Sequence, residues 1–558
     1  MSELVFAGGT TWWPRYRTSA WRWLHDRLVW RWALAELPGT ATVLVVPAAE
    51  PALADVAGVL AGVVGAEIRT SVEPAPTPPP RPRVMARVRR RLGRALSSDR
   101  DRAFGGVPAE RGRAAVARLE LLADARAGRP LLVLSTPGAH QTVTVAGRTA
   151  RLDPFLAQVA SKLQDGPLDP VLLELGTNLV DDASWAAFNG PGRERTLPGS
   201  VLDGFTDLAD AAKAGADAGR VAEDLKRVHV PLDLDGLDLG PALVARSAEL
   251  AVRSLAHRLA DADRIERFLR VLDPAGILCI NEYSRPEWLA AAARAGVPVA
   301  AVQHGIIHAA HPGYMFPARA GLLLPARTYV FGDYERRLLT GTSVFEPGEV
   351  VVSGAPRLDL TSPAGITASE RAAVRAELGV SPDDRLVVFS STSSAEIRRL
   401  VVAPVLDAIF DRRLPRVHLA VKLHPVIDDG AFYRRLLDGL GRKVGRPIPS
   451  TIVNDIDLYR LLGAADAHLG IHSTVLTDAV AAGTLNLVAS VFAESDLLDY
   501  VAAGVATAVA DGADVVAALA APPDPAYPAA RAAFLADHFA PGAAGDRIAA
   551  DLSRWLVR

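Results

Sequence analysis

The polar residues best suited to chemistry follow apolar runs, where open α/β sheets bind ligands. Gln303-His304-Gly305 comes directly after the apolar run Val297–Val302. A strand there would place the imidazole of His304 at the carboxyl edge of a sheet. Gly305 would then let a ligand approach the backbone closely. We therefore interpret His304 as a functional residue.

Two further histidines, His308 and His311, follow His304 at spacings of four and three residues. Such spacings are compatible with a metal site. A polar loop with structural histidines accounts for His308 and His311 better, and we predict no bound metal.

Lys422-Leu423-His424-Pro425 is the second candidate, at the end of the apolar run Val417–Val421. Residues two apart in a strand point the same way, so Lys422 and His424 share a face. Pro425 then ends the strand. A cation beside a titratable donor suits a phosphate leaving group, because both neutralise the charge that develops as the bond breaks.

Ser473-Thr474 is the third candidate, after the apolar run Ala467–Gly470. Either residue could cap the helix predicted to follow, and the amides of a helix start attract phosphate. A simple helix cap is the commoner meaning of this pattern. Asp478 lies one turn into the helix, where it could bind ribose hydroxyls.

Ser390, Ser391 and Thr392 begin a run of five small hydroxyl residues, which could surround a phosphate group. The run lacks the glycines and lysine of a P-loop, so ATP hydrolysis of that type is not expected. A GxGxxG opening for a nicotinamide cofactor is also missing from the sequence.

The elements that must position these residues are short apolar runs, separated by turns and helical patterns. Continuous apolar runs alternating with helices are typical of buried parallel strands. The sequence therefore predicts an α/β fold with two Rossmann-like sheets. The strands are predicted at Ala41–Val46, Pro130–Leu134, Val171–Leu175, Gly276–Ile280, Val297–Val302, Thr328–Phe331, Val350–Val352, Leu386–Phe389, Val417–Val421, Thr451–Val453, Ala467–Gly470 and Leu485–Val488.

Proline-rich segments divide the 558 residues. We predict an N-terminal domain over 1–322 with a Pro/Arg-rich insertion at about 72–118, and a C-terminal domain over 323–527. The tail, 528–558, should pack back on the body as a helix over Ala529–Val557. The single cysteine, Cys279, excludes an internal disulfide and indicates a reducing compartment.

Charge is balanced overall, with 61 basic and 63 acidic residues, but it is unevenly distributed. Twelve arginines lie between Arg81 and Arg118, and six of the nine tryptophans lie between Trp12 and Trp32. A helix over Ser19–Glu36 would have an aromatic face that could pack on the core, stack on sugars or contact a membrane surface. We favour core packing and predict no nucleic-acid partner, because no nucleic-acid module accompanies the basic stretch.

No run of eighteen apolar residues and no signal peptide is visible, so we expect a cytoplasmic protein, with peripheral contact to the inner membrane face left open.

Taken in order, the motifs of residues 265–505 resemble the GT-B glycosyltransferases of bacterial surface polysaccharide synthesis. The relatives by pattern are capsule-biosynthesis transferases, bacterial sialyltransferases and polysialyltransferases, and CDP-glycerol glycerophosphotransferases. The motifs are Gln303-His304-Gly305, His311-Pro312-Gly313-Tyr314, Val330-Phe331-Gly332-Asp333-Tyr334, Ser353-Gly354-Ala355-Pro356-Arg357-Leu358-Asp359, Lys422-Leu423-His424-Pro425, Asp457-Leu458-Tyr459 and His472-Ser473-Thr474.

The resemblance implies a cleft between two domains, with a nucleotide-sugar donor (CMP-, CDP-, UDP- or GDP-linked) on the C-terminal side and no other cofactor. The acceptor would be a glycan or lipid-linked hydroxyl. The implied donor-binding residues are Lys422, His424, Pro425, Ser473, Thr474, Asp478, Ser390, Ser391, Thr392, Gly332 and Gly354. The implied acceptor-side residues are Gln303, Gly305, His311 and Tyr314.

The identity of the general base stays open at this point. The sialyltransferases carry it in an upstream acidic motif ending in glycine, and no such motif precedes residue 330 here. Glu282 and His304 are the candidates, and His424 is a candidate acid. The alternatives to a glycosyltransferase are a glycerol- or ribitol-phosphate transferase, a sugar-nucleotide epimerase, and a degenerate scaffold without activity.

Overall fold

The structure is a computed structural model, and it describes only part of the chain. The described residues are most of 128–175, then 196–229, 251–360 without 317, 365–391, 416–424, 430–489 without 472, and 496–557. They also include short pieces among residues 6–71, 119, 233–249 and 406–410. The predictions for the helix over Ser19–Glu36 and for the insertion at 72–118 lie outside the described residues.

The first sheet has seven strands, all parallel to their neighbours. Its interior strands are apolar and buried on both faces, as expected of a parallel sheet covered by helices. From one edge to the other the order is Val350–Val352, Arg327–Val330, Val299–Val302, Gly276–Ile280, Leu131–Ser135, Pro170–Glu174 and Thr196–Pro198.

The second sheet has six strands, again all parallel. In the order in which they occur along the chain, they are arranged 3-2-1-4-5-6, the arrangement of a dinucleotide-binding Rossmann sheet. Across the sheet the order is Ser450–Val453, Val417–Lys422, Arg385–Ser390, Ala467–Gly470, Leu485–Ala489 and Thr507–Val509.

Both sheets reverse their strand order at one point, where a crevice opens beyond the strand ends and ligands bind. In the first sheet the reversal lies between Leu131–Ser135 and Gly276–Ile280, and in the second between Arg385–Ser390 and Ala467–Gly470. The predicted α/β fold with two Rossmann-like domains is confirmed. The strands predicted at Gly276–Ile280, Val350–Val352 and Ala467–Gly470 have the predicted bounds.

Helices cover the sheets, and small two-stranded sheets lie outside them. The helices are Leu156–Leu163, Leu208–Lys226, Ala256–Leu272, Pro286–Ala295, Asp333–Thr342, Ala368–Glu377, Ala431–Val444, Leu458–Ala464, Thr474–Ala482, Gly512–Ala520, Tyr527–His538 and Ala544–Leu556. The small sheets pair Phe6–Ala7 with Thr10–Thr11, Val43–Pro47 with Glu67–Ser71, Gln141–Val145 with Arg148–Leu152, and Asp233–Leu234 with Leu237–Asp238.

The boundary between the two sheets differs from the prediction. Arg327–Val330 and Val350–Val352 extend the edge of the first sheet, whereas the second sheet begins at Arg385. A boundary at residues 322 and 323 therefore divides the first sheet. The break at Pro325 does not separate the two sheets. The next residue, Ala326, donates its backbone N–H to Val299 O at 2.8 Å, and Val299 belongs to the first sheet.

The tail forms two helices rather than the single helix predicted over Ala529–Val557. The helix Tyr527–His538 ends before Pro541 and Gly542, where a proline and a left-handed glycine (φ +86°) interrupt the pattern. The second helix, Ala544–Leu556, returns to the first sheet, where Leu552 is fully buried in the same apolar cluster as Leu131 and Val133.

Candidate active site

A cleft of about 430 Å³ lies between the carboxyl ends of the two sheets. The first sheet contributes Thr136 and Asn281, next to its strand reversal, and the second contributes Ser390 at its own. Ligands of open α/β sheets bind at such positions. The cleft is therefore the candidate active site.

Lys422 and His424 both line the cleft, as their two-residue spacing predicts. Lys422 Nζ donates to the backbone oxygen of Asn454 at 2.5 Å. The backbone amide of His424 donates to Ser391 Oγ at 2.8 Å, which fixes the start of the loop. These contacts bring a cation and an imidazole to one wall. Pro425 and Thr392 lie outside the described residues.

The helix Thr474–Ala482 begins at the cleft. Ser473 is its N-cap, and its hydroxyl accepts a hydrogen bond from Val475 N at 3.2 Å, so the predicted cap is confirmed. The first amides of a helix have no partner within the helix and carry a partial positive charge. Ser473 and Thr474 line the cleft, so the helix start is directed at whatever binds there.

Ser390 belongs to a buried hydrogen-bonded chain that determines where its hydrogen lies. Asn486 Nδ2 donates to the carbonyl of Leu476, so Asn486 Oδ1 must accept from His468 Nδ1, at 2.9 Å. Nε2 of this neutral imidazole then accepts from Ser390 Oγ, also at 2.9 Å. Burial lowers the pKa of His468 to about 4, which maintains the neutral form.

Ser390 lines the cleft with this hydrogen directed away from it. Its oxygen can accept a hydrogen bond from a ligand hydroxyl or N–H group. A phosphate oxygen at neutral pH needs a donor. The hydroxyl of Ser390 is therefore unsuited to the predicted phosphate contact.

His304 and Gly305 line the cleft from the first sheet. Gly305 faces the methyl group of Thr474, 3.9 Å from where a side chain would begin. The ring of His304 lies edge-on to Phe155, with centroids 6.2 Å apart. Burial and the charges of Arg357 and Arg285 lower the pKa of His304 to about 4, so its imidazole is neutral near pH 7.

The other acceptor-side residues lie behind the cleft wall. Gln303 is buried and bridges Gly305 O and Phe331 N. His311 and Tyr314 pack around the ring of Tyr283, which in turn lies beside His304. None of Gln303, His311 and Tyr314 is among the described residues that line the cleft. Their positions suit them to support the cleft wall from behind.

Glu282, the candidate carboxylate base, is also separated from the cleft. It is buried, it accepts from the Tyr314 hydroxyl at 3.4 Å, and it lines a small separate cavity of about 30 Å³. Burial raises its pKa to about 7. A perturbed carboxyl can be catalytic, but Glu282 is not among the described residues that line the cleft.

Gly332 and Gly354 contact the tail rather than the cleft. A side chain at Gly332 would begin 2.3 Å from the backbone oxygen of Asp537. At Gly354, where φ is +85°, it would begin 2.6 Å from the Arg547 side chain. Close backbone packing, and not donor binding, accounts for both glycines.

Arg357 belongs to the motif Ser353–Asp359, and the sequence alone predicts no role for it. It lies in the short helical turn Pro356–Leu360, and its guanidinium reaches Asp478 on the helix Thr474–Ala482. Nε and Nη2 each lie 2.9 Å from Asp478 Oδ1, and both side chains are almost fully buried. Asp478, predicted for ribose, is thus engaged by arginine. Nη1 has no partner among the described residues, and Arg357 lines the cleft.

A second unpredicted group lies at the reversal of the first sheet. Ser135 ends the strand Leu131–Ser135, and its Oγ is 2.9 Å from His140 Nε2. The same nitrogen is 3.4 Å from Glu174 Oε2, at the end of the neighbouring strand. His140 lines the cleft. The rule that polar residues follow strands would have found Ser135, directly after the predicted strand Pro130–Leu134, whereas Glu174 lies inside the predicted strand Val171–Leu175.

Two features are absent from the part of the chain that the structure describes. Nowhere in that part of the chain do three or more His, Cys, Asp or Glu side chains form a group that could hold a metal ion. Among the helices described, none has the length and apolar character needed to cross a membrane.

Two Rossmann-like domains with a cleft between their strand ends, and a C-terminal helix that returns to the first, define the GT-B architecture. No protein-family model and no curated protein sequence matches the chain. Solved structures similar to it include Staphylococcus aureus MnaA with UDP, at 12% identity and a TM-score of 0.46, covering 77% of this chain and 97% of that one.

Two further similar structures have comparable scores. The UDP-GlcNAc 2-epimerase of Methanocaldococcus jannaschii, in complex with UDP-GlcNAc and UDP, is 13% identical with a TM-score of 0.45, covering 76% of this chain and 99% of that one. Anabaena Alr3699/HepE, in complex with UDP and glucose, is 12% identical with a TM-score of 0.44, covering 76% and 100% respectively.

Proposed function

We propose that this chain is a GT-B glycosyltransferase that moves a sugar from a nucleotide-sugar donor to a hydroxyl group of a glycan or lipid-linked acceptor in cell-surface polysaccharide synthesis. One observation carries the proposal. Lys422, His424, Arg357 and the start of the helix Thr474–Ala482 converge on one cleft at the strand reversal of the second sheet. Such a set of donors and positive charges suits a diphosphate leaving group.

In the proposed reaction, the acceptor oxygen attacks the anomeric carbon of the donor while the bond to the phosphate oxygen breaks. The nucleotide phosphate then carries an additional negative charge. Helix amides beside Ser473, the Lys422 ammonium and the Nη1 group of Arg357 would stabilise that charge, and His424 would bind or protonate the phosphate. These groups can neutralise the leaving group from the protein side, so we propose a reaction that needs no metal.

A product analysis tests the proposal against its alternatives. The protein is incubated with UDP-, GDP-, CDP- and CMP-linked sugars and with CDP-glycerol, with and without oligosaccharide acceptors, and products are identified by mass. We expect release of one nucleotide and addition of one hexose-type residue to the acceptor. Isomerisation of the donor alone would indicate an epimerase. Addition of glycerol phosphate would indicate the teichoic-acid type of transferase.

A matched pair of histidine variants links the activity to the cleft. His424 lines the cleft, whereas His418 lies on the preceding strand Val417–Lys422, is hydrogen-bonded to Thr451 at 2.9 Å and is not among the described residues that line the cleft. We expect His424→Gln to reduce turnover by about 10²-fold or more, and His418→Gln to leave it within a few-fold. Equal turnover of the two variants would contradict the assigned role of His424.

A further inference from the structure

The unpredicted group at the reversal of the first sheet places the imidazole of His140 beside the buried carboxyl group of Glu174. Glu174 is fully buried, and neither of its oxygens accepts a hydrogen bond of ordinary geometry from the described residues. Its charged partner is His140, whose Nε2 lies 3.4 Å from Oε2. Burying a carboxylate without a hydrogen on the facing group is costly. A proton on His140 Nε2, facing the carboxylate, would offset this cost.

A proton on Nε2 determines the state of the other ring nitrogen. With Nε2 protonated, its hydrogen can be donated to Ser135 Oγ at 2.9 Å, while Glu174 Oε2 lies within ion-pair distance at 3.4 Å. In the neutral imidazole Nδ1 then carries a lone pair. Nδ1 makes no hydrogen bond to any residue that the structure describes, and His140 lines the cleft. An imidazole with one nitrogen beside a carboxylate and the other without a hydrogen can act as a base at that second nitrogen.

Asp153 is the second carboxyl group that acts on His140. It caps the helix Leu156–Leu163, where its Oδ1 accepts from the amides of Phe155 and Leu156 at 2.9 and 3.1 Å. Burial raises the pKa of Asp153 to about 6, against the lowering by those amides and by the charge of His140. Two acidic side chains, Asp153 and Glu174, therefore act on the imidazole of His140.

We propose that His140 is the general base of the transfer and that Glu174 is its positioning residue, an inference that rests on the proposed glycosyltransferase function. Nδ1 takes the proton of the acceptor hydroxyl as its oxygen bonds to the anomeric carbon. The bond from that carbon to the donor phosphate breaks, and its electron pair leaves with the phosphate. Such a one-step displacement inverts the anomeric configuration.

The two candidates from the sequence are less suited to this role. His304 lines the cleft, but its imidazole is surrounded by positive charge from Arg357 and Arg285, which opposes uptake of a proton. Glu282 lies in a separate cavity. His140 combines a place in the cleft lining with a buried carboxyl group 3.4 Å from its Nε2, which leaves Nδ1 for an acceptor hydroxyl.

The first test needs no substrate. In protein containing ¹⁵N-labelled histidine, the signals of His140 are identified by their loss in His140→Gln. At pH 8 we expect Nε2 to be protonated and Nδ1 to be unprotonated, and Glu174→Gln to shift the balance between the two forms. A proton on Nδ1, or an imidazole still protonated on both nitrogens at pH 8, would overturn the proposal.

The second test measures turnover of the sugar nucleotide that the protein uses, with water as acceptor where no glycan is accepted. We expect His140→Gln to lower kcat by about 10²- to 10⁴-fold, the usual contribution of a general base, with donor affinity within threefold of wild type. His418→Gln is the control for loss of a buried histidine. Near wild-type kcat in His140→Gln, or retention of the anomeric configuration in the product, would contradict the proposal.

The pH profile distinguishes positioning from a merely structural role. Glu174→Gln removes a charge that favours the imidazolium, so the acidic limb of the kcat profile should move to lower pH while the plateau falls. An unmoved limb would overturn the role of Glu174. If the wild-type protein uses no sugar nucleotide, the proposed function fails instead, and the His140 tautomer still tests the geometry.

Discussion

The buried pair of Arg357 and Asp478 connects the two domains, and its removal gives a prediction that can be worked out from the structure. The side chains are 4% and 3% exposed, and Nε and Nη2 of the arginine both lie 2.9 Å from Asp478 Oδ1. Asp478→Asn keeps the shape but leaves a buried guanidinium without its counter-charge. Because the arginine cannot lose its proton, the cost should appear fully as lost stability.

Breaking a buried ion pair from one side costs about 3–5 kcal/mol. Arg357 also lies over the ring of Phe331, with its guanidinium carbon 4.6 Å from the centroid. Arg357→Met loses this cation–π contact, worth about 0.5–2 kcal/mol, in addition to the pair. Replacing both residues, by Arg357→Met with Asp478→Leu, removes both buried charges together. We expect the double variant to lose less stability than the sum of the single variants.

The assay is denaturant or thermal unfolding without ligand, with an exposed ion pair as control. Arg337 and Asp537 form such a pair, with both side chains at least 40% exposed. Asp537→Asn should cost about 1 kcal/mol or less, because solvent screens exposed pairs. The reasoning is refuted if Asp478→Asn costs no more than Asp537→Asn, or if the effects of the single variants simply add.

Three further predictions concern single polar side chains that accept or donate hydrogen bonds. Ser390→Ala leaves Nε2 of His468 without a donor and should cost about 1–3 kcal/mol, but affinity for inorganic pyrophosphate should stay within threefold; a tenfold loss would show that Ser390 donates to phosphate. Ser473→Ala removes a helix cap and should cost about 1 kcal/mol in unfolding measurements; an unchanged midpoint would contradict this. The pKa of Asp153 is raised by burial from 3.8 to about 6, so the folded state keeps a proton that the unfolded chain has released. Wild type should therefore lose about 2 kcal/mol relative to Asp153→Asn as pH rises from about 4 to about 6, and a pH-independent difference would refute the shift.

The sequence alone was sufficient for the fold because its strands are continuous apolar runs. Runs such as Gly276–Ile280 and Ala467–Gly470 have no competing helical period, so their bounds follow from composition. The boundary between the sheets could not be found in this way. Arg327–Val330 resembles any other strand, and only its pairing with Val299–Val302 shows which sheet it joins.

Residues of the cleft were predictable where the chain order itself brings them together. Lys422 and His424 are two apart, and Ser473 directly precedes a helix, so local geometry places them. Arg357 and Asp478 are 121 residues apart, and their contact depends on how two domains pack. Glu174 ends one strand and His140 follows its neighbour Leu131–Ser135 by five residues, so the two meet only because those strands pair.

Gln303 is the opposite case, a predicted ligand contact whose side chain bonds to the backbone instead. Its position after a strand matched the rule for ligand contacts, but its amide holds the backbone of Gly305 and Phe331. A strand end presents some side chains to the crevice and directs others into the wall. Sequence spacing does not distinguish them when the loop that follows is irregular.

The most direct test of the account is calorimetric titration of the protein with UDP, CDP, GDP and CMP. The account predicts that one of these nucleotides binds with one site per chain. It also predicts that the affinity falls at least about tenfold in His424→Gln but not in His418→Gln, because a lost hydrogen bond to a charged group costs about 1.5–3 kcal/mol. Absence of binding by all four nucleotides, or binding that is equally strong in both variants, would contradict a nucleotide site in the cleft.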